Sequence, residues 1–448
     1  MTSTVDARSA DATADERARV RAARTAIALV FASAGLAFAS LASRFPAVRS
    51  ELSLTPADLG TTLLAMSLGA VAALPLSSPL VQRFGPGRTV ALGFASLVSG
   101  LAVIGAGDTR AVLALGFVCM GIGSGVSDVA MNVEAADVER RIGRDIMSRF
   151  HAAFSVGTVA GAAIGAAMAE LEVGYRLHLL AVAAVVGAMV TCCVPRFLHG
   201  FRGRADEHAD PAASAPGTGA DPALAAPAPR RRRGQLAAWT ERRTLLLGVL
   251  VLGMAFAEGS ANDWISLALV DDYDAGHALA ALGFGVFVTA MTVGRMSGPW
   301  LLARFGRVSA VRGGALLVLA GSSLLAWGGS LAGPGTGAAL AVAFAGALLW
   351  GCGAALGFPV GMSAAADEPH AAAARVGVVS TIGYTAFIAG PPLLGHLGNS
   401  IGVAHALVGV SVAVLLSLVA APAAAAPPVP AGGASGGPGV REVATVKR

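Results

Sequence analysis

Residues 245–256 read LLLGVLVLGMAF, twelve apolar residues in succession, and Ala257 separates them from the polar stretch Glu258-Gly-Ser-Ala-Asn-Asp-Trp264. A strand of a membrane barrel alternates polar and apolar residues over segments of about ten. This run does not alternate. With its flanks it spans 244–268, long enough to cross about 30 Å of hydrocarbon as an α-helix. Similar runs recur along the chain. They lie near 26–43, 57–81, 89–106, 111–134, 150–170 and 176–195, then near 244–268, 279–303, 309–330, 338–363, 376–396 and 402–421. The expectation is an all-α membrane protein of twelve transmembrane helices.

Composition agrees with that pattern. Apolar residues make up 55% of the 448 and charged residues only 13%, against about 25% charge in a soluble globular protein. Such a chain cannot cover a water-facing surface, which excludes a soluble enzyme. Glycine, at 58 residues, is abundant, and small residues let membrane helices approach closely. Cys119, Cys192, Cys193 and Cys352 fall in apolar runs without paired spacing, so neither a disulfide framework nor a zinc site is expected. Residues 17–24 with the following Ala37-Phe38-Ala39 imitate a signal peptide. The acids Asp6, Asp11, Asp15 and Glu16 and the spans that follow favour an uncleaved first helix.

The net charge of +5 is a matter of topology. With the N-terminus in the cytoplasm, outer loops hold Arg44, Arg49, Arg110 and Arg176, Arg295 lies within a span, and the other 27 of the 32 basic residues fall on the cytoplasmic side. That bias is the signature of orientation in a membrane, and no nucleic-acid partner is expected. Residues 196–243 are rich in Pro, Ala, Gly and Asp and contain the run Arg230–Arg233. They read as a disordered cytoplasmic linker. The organisation is then a cytoplasmic tail (1–24), a six-helix half (25–195), the linker (196–243), a second six-helix half (244–421) and a cytoplasmic tail (422–448).

The halves repeat. Arg83-Phe84-Gly85 ends the second span and Arg304-Phe305-Gly306 the eighth, an offset of 221; Gly123 matches Gly353 and Gly165 matches Gly395 at an offset of 230. A longer outer loop at Gly329–Gly337 accounts for the shift. Two related halves imply substrate handling at their interface, by rocking of one half against the other.

Twelve spans, a long middle loop and basic turns after spans two and eight resemble the major facilitator superfamily. The family's loop signature, Gly-x-x-x-Asp-Arg-x-Gly-Arg, is matched by Arg83 and Gly85, with Ser78, Gln82 and Pro86 in place of its Gly, Asp and final Arg. The second copy keeps Arg304, Gly306 and Arg307, with Ala303 at the acid's position. The resemblance implies a gating role for Arg83, Gly85, Arg304 and Gly306. Asp128-Val-Ala-Met-Asn132, His151-Ala-Ala-Phe-Ser-Val-Gly157, Glu258–Trp264 and Gly357-Phe-Pro-Val-Gly361 resemble a bacterial inner-membrane permease branch related to fucose-type sugar symporters. Fucose permease carries an acid in its first span. Here that span offers only Ser33, Ser40 and Ser43, so fucose specificity does not carry over.

Ionisable groups inside hydrocarbon cost about 3 kcal/mol on insertion scales, so they face protein or water and are functional candidates. Ser124, Asp128 and Asn132 share one helical face. Asp128 reads as a proton-coupling carboxylate, because burial favours the protonated form of a carboxyl, or as a hydrogen-bonded structural acid. Glu258, Asn262 and Ser266 share another face, with Asp263 and Trp264 adjacent. Glu258 is a candidate for substrate or proton contact. Asn132, Asn262, Asp263, Trp264 and Tyr384 are candidates for substrate contact, Asp263 and Trp264 reading equally as a solvated rim acid and an interfacial aromatic. Arg295 needs a carboxylate or carbonyl partner and reads as a gating residue pairing across the inner gate. His151 reads as a helix-capping or solvated residue at the cytoplasmic mouth. Gly157, Gly161 and Gly165 provide close helix approach. The Gly161-Ala162 pair lacks the proline of the family's antiporter signature, and Gly390-Pro391-Pro392 reads as a helix break.

No metal-ligand motif, phosphate loop or catalytic constellation appears, so no enzyme, cofactor or ATP drive is expected. The expectation is a secondary active transporter, a permease or symporter working as a monomer in the bacterial cytoplasmic membrane. It would be proton-coupled and move a sugar or similar small polar metabolite by alternating access, with protons, substrate and membrane lipid as partners. Proton-coupled drug or metabolite efflux is the alternative within transport. A membrane receptor or scaffold that kept the fold is the alternative outside it.

Overall fold

The computed structural model describes residues 2–144, 146–198, 237–368 and 371–426. The expected linker lies outside the described residues except at its two ends, and the C-terminal tail is described only as far as 426.

The described residues are almost wholly helical. The first half comprises α1 (Thr2–Ala42), α2 (Phe45–Glu51), α3 (Pro56–Ala106), α4 (Arg110–Ile142), α5 (Met147–Glu170) and α6 (Tyr175–Cys193). The second comprises α7 (Arg242–Tyr273), α8 (His277–Met296), α9 (Gly298–Ala332), α10 (Gly337–Ala354), α11 (Gly357–Ala365), α12 (Ala372–Ile401), α13 (Val403–Ala406) and α14 (Val408–Ala420). Local chemistry sets several starts. Thr55 and Asp58 form a reciprocal capping box at the head of α3, with Pro56 in its first turn. Thr109 and Thr336 accept from the third residues of α4 and α10. Gly143 ends α4 in the left-handed conformation.

Eleven helices among the described residues are long and apolar enough to cross a membrane. One of them, α3, crosses twice. Its 51 residues would extend about 77 Å if straight, more than twice the thickness of a bilayer core. The chain folds back at Gly85, at φ 78° and ψ 163°. The counterpart is Gly306 inside α9, at φ 75° and ψ 165°. Both glycines occupy a region of backbone space open essentially to glycine alone. The eighth crossing is α8 continued through Ser297, whose φ of −77° and ψ of −8° barely interrupt the helix, into the first residues of α9. Twelve crossings result.

The repeat read from the glycines is a packing repeat. A methyl group at Gly100 of α3 would sit 2.5 Å from the Gly116 carbonyl oxygen of α4. One at Gly321 of α9 would sit 2.5 Å from the Gly346 carbonyl oxygen of α10. Gly123 likewise abuts Leu97 and Gly93 as Gly353 abuts Val318 and Gly314. Every pair obeys the same two offsets. Along α5, side chains at Gly157 and Gly161 would collide with the carbonyl oxygens of Ala32 and Leu36, so α1 and α5 meet backbone to backbone.

The halves touch on the side that carries α2. Among the described residues their polar contacts are three: a bidentate pair between Arg49 of α2 and Asp271 of α7, Ser266 Oγ donating to the Ala42 carbonyl at 3.4 Å, and Ser67 Oγ donating to the Phe387 carbonyl at 2.6 Å. Gly60 of α3 also packs directly on Pro391 and Gly395 of α12. Toward the face of the Gly85 and Gly306 turns, no polar contact joins the halves among the described residues. Polar contacts between the halves thus close one face, and none joins them toward the other among the described residues.

The expected break at Gly390-Pro391-Pro392 does not occur, because α12 runs helical through both prolines. Pro391 has no N–H, which leaves the Phe387 carbonyl without its intrahelical donor. Ser67 of the opposite half supplies that donor, and the lost helix bond becomes a contact between halves.

Candidate functional site

Between the halves lies a cavity of about 380 Å³. The first half lines it from α1 (Ala34, Phe38), α3 (Leu63, Met66, Ser67, Leu97), α4 (Met120, Ser124, Ser127, Asp128, Met131) and α5 (Phe154, Thr158). The second half lines it from α7 (Glu258, Gly259, Asn262, Asp263), α8 (Val288, Met291, Arg295) and α12 (Phe387, Pro391). The walls are chiefly apolar. The charged groups are three carboxylates and one guanidinium.

Helical geometry explains the lining. At 3.6 residues per turn, Glu258, Gly259, Asn262 and Asp263 form one face of α7. Glu258 Oε1 accepts from Arg295 Nη2 at 2.7 Å, an ion pair joining α7 to α8. Asp128 on α4 accepts from the Asn132 side chain, whose Nδ2 lies 3.2 Å from Oδ1 and 2.7 Å from the Asp128 carbonyl. Asp263 has neither an ion pair nor a hydrogen bond among the described residues, although it faces the cavity. The buried Oδ1 of Asn262 and Oγ of Ser127 also lack hydrogen-bond partners among the described residues. His151 packs edge-on against Phe31 at 5.3 Å, within electrostatic reach of both Asp128 and Arg295.

Four of the expected residues, Asp128, Glu258, Asn262 and Asp263, come together here. Others are placed differently. Trp264 is 1% exposed and does not line the cavity. It follows Asp263 by 100° of helical rotation and points away, with its indole packed beside Gly395. Asn132 lies at the edge of the α4 face and turns back onto Asp128. Tyr384 is exposed one turn below Phe387 and is not a lining residue. Arg295 does not pair across the inner gate: its ion-pair partner is a carboxylate of its own half, Glu258, and its buried Nε has no hydrogen-bond partner among the described residues. The phenylalanines, methionines, Ser67 and Ser127 went unseen as lining residues, since apolar stripes at helical spacing look like ordinary core.

The gating candidates divide. Gly85 and Gly306 form matching turns. Arg83 is exposed, with its guanidinium 5.4 Å from the Phe84 ring, and Arg304 is exposed. Neither forms an ion pair among the described residues. The charge that secures the second turn belongs to Arg307. It meets Asp367 at 2.7 Å, and Asp367 also receives Arg243 at 2.8 Å. Nearby, Glu241 pairs with Arg375 at 2.7 Å. Burial pushes the Asp367 carboxyl upward, but hydrogen bonds from Arg307 and Arg243 outweigh it and hold the group below its ordinary range.

The sequence profile of the Major Facilitator Superfamily matches residues 27–391 of this chain. The chain belongs to the major facilitator superfamily. It is 32% identical over 404 residues to an uncharacterized MFS-type transporter of Yersinia pestis, covering 89% of this chain and 94% of that one. It is 29% identical over 311 residues to a chloramphenicol resistance protein of Streptomyces lividans, covering 65% and 70% of the two chains. The fold is similar to the crystal structure of the nucleoside transporter NupG, with a TM-score of 0.69 at 14% identity, covering 90% of this chain and 98% of that one. This is a multi-pass membrane protein and a transporter of the superfamily rather than an enzyme.

Proposed function

We propose that this superfamily member is a proton-coupled secondary transporter whose substrate occupies the cavity between the halves. The observation that carries the reading is the set of carboxylates lining that cavity at the interface of two repeated halves. Asp128 is the proposed proton site. It lies in the half of α4 nearer the face of the Gly85 and Gly306 turns, and Asn132 is its hydrogen-bond donor. A carboxyl that alternates between a wet and a dry setting gains and loses a proton as the halves rock. The distribution of basic residues supports a cytoplasmic placement for the face of the Gly85 and Gly306 turns, in the bacterial cytoplasmic membrane. The arrangement described is then inward-facing.

A small metabolite of sugar or nucleoside size suits the volume. The likeness to the Streptomyces lividans resistance protein supports a second reading, in which the same cycle exports a drug-like compound. The test is Asp128→Asn, which is similar in size and unable to ionise. In proteoliposomes with an imposed proton gradient, the variant is expected to lose uphill accumulation of a transported substrate while exchange down its gradient persists. Concentrative transport with unchanged pH dependence in Asp128→Asn would remove Asp128 from coupling.

A further inference from the structure

The cavity's charges do not balance. Arg295 neutralises Glu258 at 2.7 Å. Asp128 is hydrogen-bonded by Asn132. Asp263 remains, a carboxylate facing the cavity without a hydrogen bond or ion pair among the described residues. A charge away from bulk water is stable only when paired. The same cavity is lined by three phenylalanines, Phe38, Phe154 and Phe387, and by methionines that include Met120 and Met291. Aromatic faces attract organic cations, and thioethers offer soft, adaptable apolar contact. None of the remaining polar groups supplies a second positive charge to hold an anion.

We infer that the transported substrate is a monovalent organic cation with an apolar, ring-bearing body, and that Asp263 is the residue that receives its charge. This assignment rests on reading the cavity as the transport site. It goes further in fixing the sign of the substrate's charge and in separating the substrate carboxylate, Asp263, from the proton carboxylate, Asp128. A free sugar satisfies neither the carboxylate nor the apolar walls. Trp264, the ring that would stack on a sugar, is packed away from the cavity.

The experiment is equilibrium binding to the purified full-length protein in detergent with no ion gradient, using three ring-bearing probes: phenyltrimethylammonium, phenyl glucoside and benzenesulfonate. Wild type is expected to bind the cation at least tenfold more tightly than the neutral glucoside, and the anion more weakly still. Asp263→Asn is expected to lose at least tenfold in cation affinity, and Asp263→Glu to recover most of it. Equal binding of cation and glucoside by wild type, or no cation binding at all, overturns the inference. So does a folded Asp263→Asn that binds the cation as wild type does, including the case where only its pH dependence changes. The wild-type preference among probes decides the matter even if Asp263→Asn does not fold. Failure of Asp128→Asn to alter coupling would overturn the proton assignment while leaving these binding results standing, so the two failures are distinguishable.

Discussion

Arg295 and Glu258 show why intramembrane charges are best read in pairs. Either alone suggests a gate or a ligand contact, yet together at 2.7 Å they form an internal pair that fixes α8 against α7. Glu258→Gln therefore leaves a partly buried guanidinium with a weaker partner. The expected loss is about 1–3 kcal/mol of stability, the usual cost of orphaning such a group. A double variant, Glu258→Gln with Arg295→Gln, should regain part of it, because two neutral amides can pair. Thermal melts of the two proteins in detergent measure the difference; equal or greater loss in the double variant would mean that the orphaned guanidinium is not the source of the cost. The acids of the site were legible in the sequence because ionisable groups stand out in an apolar run. Their directions were only partly legible. Trp264 lies next to Asp263 in sequence but one further step of 100° around α7, and adjacency was mistaken for a shared face. Phe38, Phe154 and Phe387 carry no mark separating cavity wall from core, because a helix that is apolar all round does not disclose which side faces a void.

At the scale of elements, the fold was legible wherever glycine recorded a backbone demand. Arg83-Phe84-Gly85 and Arg304-Phe305-Gly306 repeat because each ends a crossing in a conformation that side chains resist. Gly306 isolates that demand, since a methyl group there would meet nothing within 4 Å. Gly306→Ala is accordingly expected to cost about 1–3 kcal/mol through the backbone alone, read as a lowered melting temperature in detergent. An unchanged melt would show that the turn tolerates another conformation. The charges around this turn give a pH expectation. Asp367 is held below its ordinary value of 3.8 by Arg307 and Arg243. A group whose folded pKa is depressed stabilises above its unfolded pKa and loses that contribution as pH falls through the folded value. The anchoring should stay constant from neutral pH down to about 5 and be lost only in stronger acid. Asp367→Asn should remove it at neutral pH, with melts across pH as the measurement. The sequence repeat carried only half of this anchor: Asp367 repeats Asp137 at the offset of 230, but Arg307 aligns with Pro86.

At the scale of the whole molecule, the halves repeat in packing but differ in charge, and the difference carries the working asymmetry. The glycine pairs at α3–α4 and α9–α10 superimpose two rigid frameworks, while Asp128, Glu258, Asp263 and Arg295 have no charged counterparts at the repeat offsets. On the proposed reading, the frameworks rock as bodies while a single set of charges between them meets substrate and proton. What holds the closed face is the Arg49–Asp271 pair, supported by Ser67, Ser266 and the tight seat of Gly60 on α12. The two side chains are 18% and 20% exposed. A partly solvated pair is worth at most about 1 kcal/mol, or about a fivefold shift in a two-state balance. That is enough to bias the resting state and too little to lock it, as an alternating cycle requires. Asp271→Asn should therefore raise the accessibility of a cysteine placed at Asn262, in a protein freed of its four native cysteines, to an impermeant thiol reagent applied from the α2 face, by up to about fivefold. Exchanging the charges, Arg49→Asp with Asp271→Arg, should restore the closed bias. Labelling that is unchanged by Asp271→Asn would place the closing force in the apolar and backbone contacts of α3 with α12 rather than in the ion pair.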